Sequence, residues 1–137
     1  MAKDAFARGM KTRRKVLGDE WVDRAIRTQT PFNAEFQELI TRYAWDEIWN
    51  RKGLSHKVRR MLVLAMTAAM GRWEEFALHT RAALASGDLS QDDVKEVLLQ
   101  AAIYCGVPTA NTAFKEARAI IAELAQEKDG KKKKKAK

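Results

Sequence analysis

The sequence predicts an all-α protein, and three observations predict it. No stretch alternates apolar and polar residues at the period of a strand. The good helix formers Ala, Leu, Glu, Lys and Arg dominate a 137-residue chain with only two prolines and seven glycines. Helix starts and stops also recur along the chain at regular intervals.

The elements follow in order. A basic helix over about residues 3–16 ends at Gly18, and the short helix DEWVDRAIRT stops before Pro31. From Pro31 the run PFNAEFQELITRYAWDEIWN sets Phe32, Phe36, Leu39, Ile40 and Tyr43 on one helical face, with Trp45 and Trp49 near its end, before RKGLS breaks it at Gly53. Ser55 is placed to cap HKVRRMLVLAMTAAM, a helix apolar on nearly every side from Met61 to Met70 except at Thr67. Such a helix is central, enclosed by the domain or by a subunit partner. Gly71 separates it from RWEEFALHTRAALASG, which Gly87 closes. Ser90 and Asp93 form a capping-box start for the next helix, where Val94, Val97, Leu98, Ala101, Ala102 and Cys105 share a face. Gly106 ends it, and Pro108 opens TANTAFKEARAIIAELA at a position where its missing N–H does no harm.

The length gives one domain, assigned to residues 1–126, with residues 127–137 as a Lys-rich tail. That tail holds seven lysines against Glu127 and Asp129, so +5 of the net charge of +8 resides in it and only +3 remains elsewhere. A low-complexity, self-repelling segment of this kind is expected to be disordered; it implies solubility or loose adhesion to polyanions, and no specific nucleic-acid partner. The single cysteine, Cys105, excludes an internal disulfide and a cysteine-based zinc cluster within one chain. There is no apolar signal core and no apolar run of membrane-spanning length, so the expected setting is cytoplasmic, without a membrane partner. Several helices are apolar on more than one side, which a small monomer satisfies poorly and a homo-oligomer satisfies well.

Glu75 and His79 lie four residues apart, so one helix face presents a carboxylate and an imidazole together, followed by the small Ala82 and Ala83. Neutral histidine suits proton transfer near pH 7. Two readings stay open on spacing alone: a proton-handling pair beside room for a small molecule, or an ion pair that supports the helix by a few tenths of a kcal/mol, on the order of 0.3. Trp45, Trp49 and Tyr104 are candidate pocket walls, although aromatic residues at helical spacing are more often core. His56, beside Ser55 and Lys57, reads as a solvated helix start.

The segments GMKTRRKVLGDEWVDRA, FNAEFQELITRYAWDEIWNRKGL, EFALHTRAAL and VKEVLLQAAIYCGVPTANTAF, with Arg59 ahead of the apolar helix, together resemble the carboxymuconolactone decarboxylase family, which includes alkylhydroperoxidase-like proteins. The resemblance spans Ala7 to Leu124, and its N-terminal and AIYCGVPTAN portions are particular to the decarboxylase branch. In the peroxidase-like branch a CxxC pair precedes the helix histidine; here those positions are Arg72 and Glu75, so dithiol chemistry has no thiols to use. The glutamate of that branch is replaced by Arg60, and its proton relay does not carry over.

The resemblance implies an alkylhydroperoxidase-like domain of about six helices, assembled as a homo-oligomer, a hexamer with sites near subunit contacts. It also implies a reaction: loss of CO2 from 4-carboxymuconolactone to give 3-oxoadipate enol-lactone, a step in protocatechuate breakdown. This small dicarboxylate lactone is its own electron sink, so no organic cofactor or metal is implied. His79 becomes the candidate general acid, Glu75 the residue that orients it and favours its protonated form, and Arg59 the candidate anion clamp, with Arg51 as second choice. Trp45 and Trp49 complete the expected substrate-binding set. Two alternatives remain: the same scaffold acting on another small carboxylated substrate, and a non-catalytic helical oligomer with a polyanion-binding tail.

Overall fold

Seven α-helices and one π-helical segment account for most of the chain in a computed structural model that describes residues 2–136, and no strand occurs among the described residues. The helices are α1 (Ala2–Leu17), α2 (Asp19–Thr28), α3 (Ala34–Ile40), α4 (His56–Met70), α5 (Trp73–Ser86), α6 (Gln91–Tyr104) and α7 (Val107–Lys135), with the π segment at Thr41–Ile48. The chain divides into two compact units, Met1–Arg59 and Arg60–Lys137, with the boundary inside α4.

In the first unit α1 packs along the π segment at very short range. Gly9 makes this possible, because a Cβ there would stand 2.1 Å from the backbone oxygen of Thr41. Polar contacts fix the register: Arg8 donates two bonds of 3.0 Å to the Asp46 carboxylate, and Thr12 Oγ1 donates to Asn50 Oδ1 at 2.7 Å. Arg13 is buried, donates to Gln37 Oε1 at 2.8 Å, and lies 5.5 Å from the centre of the Trp21 ring.

The run from Pro31 to Asn50, expected as one α-helix, divides. The Trp49 N–H reaches back five residues to the Ala44 carbonyl at 3.0 Å, the wider turn that defines a π segment. The π geometry applies from Thr41 onward. Thr41, Trp45 and Trp49 point inward, whereas Phe32, Phe36, Leu39 and Tyr43, expected together on an apolar face, are exposed.

In the second unit the core comprises Leu64 and Ala68 of α4, Phe76 and Ala83 of α5, Leu89, Val94 and Leu98 before and along α6, and Ala113 and Ala117 of α7. Small residues on α7 let it pack against both α5 and α6. The loops are short because their chemistry is local. Gly87 closes α5 in the left-handed region at φ 81°, and Ser90 and Asp93 exchange a reciprocal capping box at the start of α6.

The Lys-rich tail, expected to be disordered, is helical through Lys135, and Lys137 lies outside the described residues. Lysine is a good helix former, and Lys132 to Lys135 sit at the C-terminal end of the helix dipole, where positive charge is favourable. Arg81 of α5 holds this helix at both Glu123, at 3.0 Å, and Glu127. α4 buries one face, through Arg60, Leu64 and Ala68, and leaves Leu62, Met66 and Met70 exposed. At the junction of α6 and α7, Leu99, Ile103, Tyr104 and Val107 are exposed as well.

Candidate active site

His79 sits in the middle of α5, one turn beyond Glu75, where the absence of glycine, proline or a cap keeps the helix regular. Its imidazole is largely withdrawn from solvent, while Glu75 is exposed at the edge of the same face. The neighbouring Thr80 and Phe76 point into the core and are fully buried.

The positive charge that acts on His79 comes from α4. Arg60 is 1% exposed, and its Nε donates to Asp88 Oδ2 at 3.0 Å. Burial lowers its proton affinity from the ordinary arginine value, and Asp88 offsets that by charge and by hydrogen bond. A guanidinium remains protonated in such a setting.

Burial, and then the positive charge of Arg60, push the His79 imidazole down to about 4; Glu75 pulls in the opposite direction and is outweighed. Glu75 does favour the imidazolium, as expected, but burial and Arg60 outweigh it, so the imidazole of the free protein is neutral at pH 7. Glu75 faces solvent, which weakens its field, whereas Arg60 acts from within the core.

This carries a stability consequence with a definite sign. The folded-state value lies below the ordinary 6.5, so below that pH the unfolded chain binds the proton more readily, and stability falls as pH drops from 6.5 to about 4. The expected loss by pH 4.5 is about 2–3 kcal/mol. Urea midpoints at pH 7 and 4.5 will show this extra acid sensitivity in the wild type and its absence in His79→Gln, which separates it from carboxylate titration.

Thr80 adds a second test. Its Oγ1 is buried and has no hydrogen-bond partner among the described residues. Thr80→Val replaces that hydroxyl with a methyl of similar size, so thermal unfolding is expected to show unchanged or higher stability, by up to about 1 kcal/mol.

The other candidates from the sequence fall in the first unit. Arg59 is half-buried, and its Nη2 donates to the Arg51 carbonyl at 3.4 Å, so the first- and second-choice anion clamps are neighbours. Arg51 itself is exposed. Trp45 and Trp49 are each 7% exposed and stack on one another at 5.3 Å, and His56 Nε2 lies 2.9 Å from the Trp49 carbonyl. One face of each ring is covered by the other. Tyr104 is exposed at the end of α6. Sequence reasoning noted Arg60 only as a replaced glutamate; the about 100° between consecutive residues sends Arg59 and Arg60 to different faces, and packing decides which one is buried. Among the described residues no group of three or more His, Cys, Asp or Glu is placed to hold a metal ion, and no helix is long and apolar enough to cross a membrane.

Residues 34–119, which carry the π segment, α4, Arg60 and the Glu75/His79 pair, match the model of the carboxymuconolactone decarboxylase family. The chain belongs to that family. Among curated relatives, a 4-carboxymuconolactone decarboxylase of Acinetobacter baylyi is 35% identical over 87% of this chain and 88% of its own length. A nitrosuccinic acid decarboxylase of Metarhizium robertsii is 42% identical over 80% of this chain and 76% of its own. A shorter 4-carboxymuconolactone decarboxylase sequence of Pseudomonas putida is 52% identical over 31% of this chain. This member of the carboxymuconolactone decarboxylase family is accordingly a carboxy-lyase.

Proposed function

We propose that the protein removes CO2 from a small dicarboxylate without a cofactor, that 4-carboxymuconolactone is its substrate, and that His79 delivers the proton that replaces the carboxylate. The observation that carries this reading is a neutral histidine, withdrawn from solvent, one helical turn from the exposed carboxylate of Glu75 on α5 and under the influence of the buried Arg60 charge. In the reaction the bond between the ring carbon and its carboxylate breaks. The electron pair passes through the ring double bond to the lactone carbonyl, and CO2 departs. A proton then joins the carbon next to the carbonyl, which gives the enol-lactone. The protein has to stabilise the dienolate and supply one proton.

The neutral state of His79 in the free protein fits this role. A bound dianion places two negative charges near the imidazole and raises its proton affinity, so the proton is taken up together with the substrate. Arg60, buried and bonded to Asp88, is proposed to act on the site through its charge and not by touching substrate; a cation gripping the departing carboxylate would stabilise the ground state instead. Arg59 and Arg51 are the proposed grips on the acetate arm.

One relative favours a second reading. Nitrosuccinic acid is also a dicarboxylate with its own electron sink, the nitro group, which receives the pair released with CO2. The shared requirement is a dianion whose carbanion is already stabilised, so a nitro-substituted dicarboxylate is the alternative substrate class. Assembly as a homo-oligomer, expected as a hexamer, and a cytoplasmic setting belong to the same proposal. The exposed Met66, Met70, Ile103, Tyr104 and Val107 support self-association.

The deciding experiment is an ultraviolet assay in which a cycloisomerase generates carboxymuconolactone from 3-carboxy-cis,cis-muconate in the presence of this protein, run beside nitrosuccinate. Faster enol-lactone formation than in the protein-free control supports the first substrate. Acceleration with nitrosuccinate alone supports the second, and neither with folded protein overturns both.

A further inference from the structure

We propose that the first unit holds a binding site for a small apolar carboxylate, with the buried Arg13 guanidinium as its anchor. The inference goes beyond the decarboxylase reading and does not depend on it. A cavity of about 700 Å³ opens among α1, α2, α3 and the first residue of the π segment, and every residue that lines it belongs to that unit. Phe6 and Met10 of α1, Ile26 of α2 and Ala34 of α3 give it apolar walls. Arg13 lines it as well, together with Gln37 and Thr41, the two side chains that accept hydrogen bonds from the guanidinium.

Arg13 is 3% exposed, and a charge so far from water requires compensation. The groups around it are neutral. Nη2 donates to the Gln37 amide oxygen at 2.8 Å, Nη1 reaches Thr41 Oγ1 at 3.5 Å, and the guanidinium carbon lies over the Trp21 ring, 5.5 Å from its centre. Nε is buried with no acceptor, and no carboxylate pairs with the group among the described residues. Burial lowers the proton affinity of Arg13 from the ordinary arginine value, and the positive charge of Arg14 adds to this. Arg14 itself takes the nearby acids, Asp19 at 3.0 Å and Asp23 at 2.8 Å. The charge of Arg13 is left for a ligand that brings its own carboxylate.

The lining also selects the rest of that ligand. A carboxylate matches the guanidinium fork, and on entering it replaces the neutral amide oxygen of the half-buried Gln37 with a charged acceptor. The apolar walls take an aryl or alkyl body, whose burial adds affinity. The charged groups that line the cavity besides Arg13 are Lys3, Glu35 and Glu38, all exposed and summing to −1, which favours a ligand with one negative charge over a dianion.

Calorimetric and methyl nuclear magnetic resonance titration with 3-phenylpropionate tests this, beside the neutral 3-phenylpropionamide of the same shape. The acid is expected to saturate its site and to move the Met10 methyl resonance. The amide should bind about 10-fold to 100-fold more weakly, the weight of a charge-assisted hydrogen bond. Gln37→Glu sets a carboxylate where the amide oxygen now meets Nη2, so the protein supplies the missing counter-charge itself; it should lower the affinity for the acid by a similar factor and keep the fold. Arg13→Gln should do the same where it folds, and the comparison of acid with amide decides alone if neither variant does. His79→Gln should bind the acid as the wild type does. No saturable binding, equal affinity for acid and amide, or an unchanged affinity in folded Gln37→Glu would overturn the proposal. So would loss of binding in His79→Gln, which would assign the carboxylate to the candidate active site.

Discussion

His79→Gln is expected to lower kcat by about 100-fold to 10,000-fold, the range that a positioned proton donor contributes. Glutamine retains bulk and a hydrogen-bonding end and cannot deliver a proton at neutral pH, so the loss should appear in kcat with KM little altered. The wild type carries its own signature. Because the imidazole of the free protein is pushed down to about 4, kcat/KM should fall about tenfold per pH unit across the neutral range, since it reports protonation before substrate binds. The kcat profile should stay flat to higher pH, since it reports the complex, in which the substrate's carboxylates hold the proton on the ring. Wild-type turnover in His79→Gln would remove this residue from the chemistry.

Gly9→Ala is expected to destabilise the protein by about 3 kcal/mol, the upper end of what an added methyl costs in a packed site. The new Cβ would meet the Thr41 oxygen at 2.1 Å, the Thr41 carbonyl carbon at 3.0 Å and the Asp46 nitrogen at 3.2 Å. All three are backbone atoms, so no side-chain rotation relieves the overlap, and α1 must move away from the π segment. That movement strains the Arg8–Asp46 and Thr12–Asn50 bonds together. A urea unfolding curve will show the lowered midpoint, and an unchanged midpoint would mean that the two segments are not in contact in solution.

The elements were legible wherever local chemistry decides them. Ser90 and Asp93 cap α6 reciprocally, Gly87 takes the left-handed turn, Pro108 lies in the first turn of α7, and Ser55 Oγ accepts from the Val58 N–H at 3.2 Å, as their spacing suggests. The π segment was not legible, because an i→i+5 turn leaves no mark in residue type. In the candidate site, the shared face of Glu75 and His79 follows from spacing alone. The strength of their coupling does not, since it depends on which one is buried and on a guanidinium brought in by another helix. Arg59 and Arg60 are consecutive and chemically identical, and only tertiary packing separates the half-buried one from the fully buried one. The helical state of the tail was missed because composition counts repulsion between lysines and not the anchoring of α7 by Arg81.

The partnership of α1 with the π segment also has a consequence for the order of events during synthesis. The bonds that hold α1 join residues 38 apart, Arg8 to Asp46 and Thr12 to Asn50. At about 5–20 residues per second, translation leaves α1 without these partners for roughly 2–8 s. A 16-residue helix with a glycine in its interior is marginal on its own over such an interval. The glycine that permits close packing in the finished protein therefore weakens the nascent helix, and α1 becomes persistent only when the chain has been made as far as Asn50.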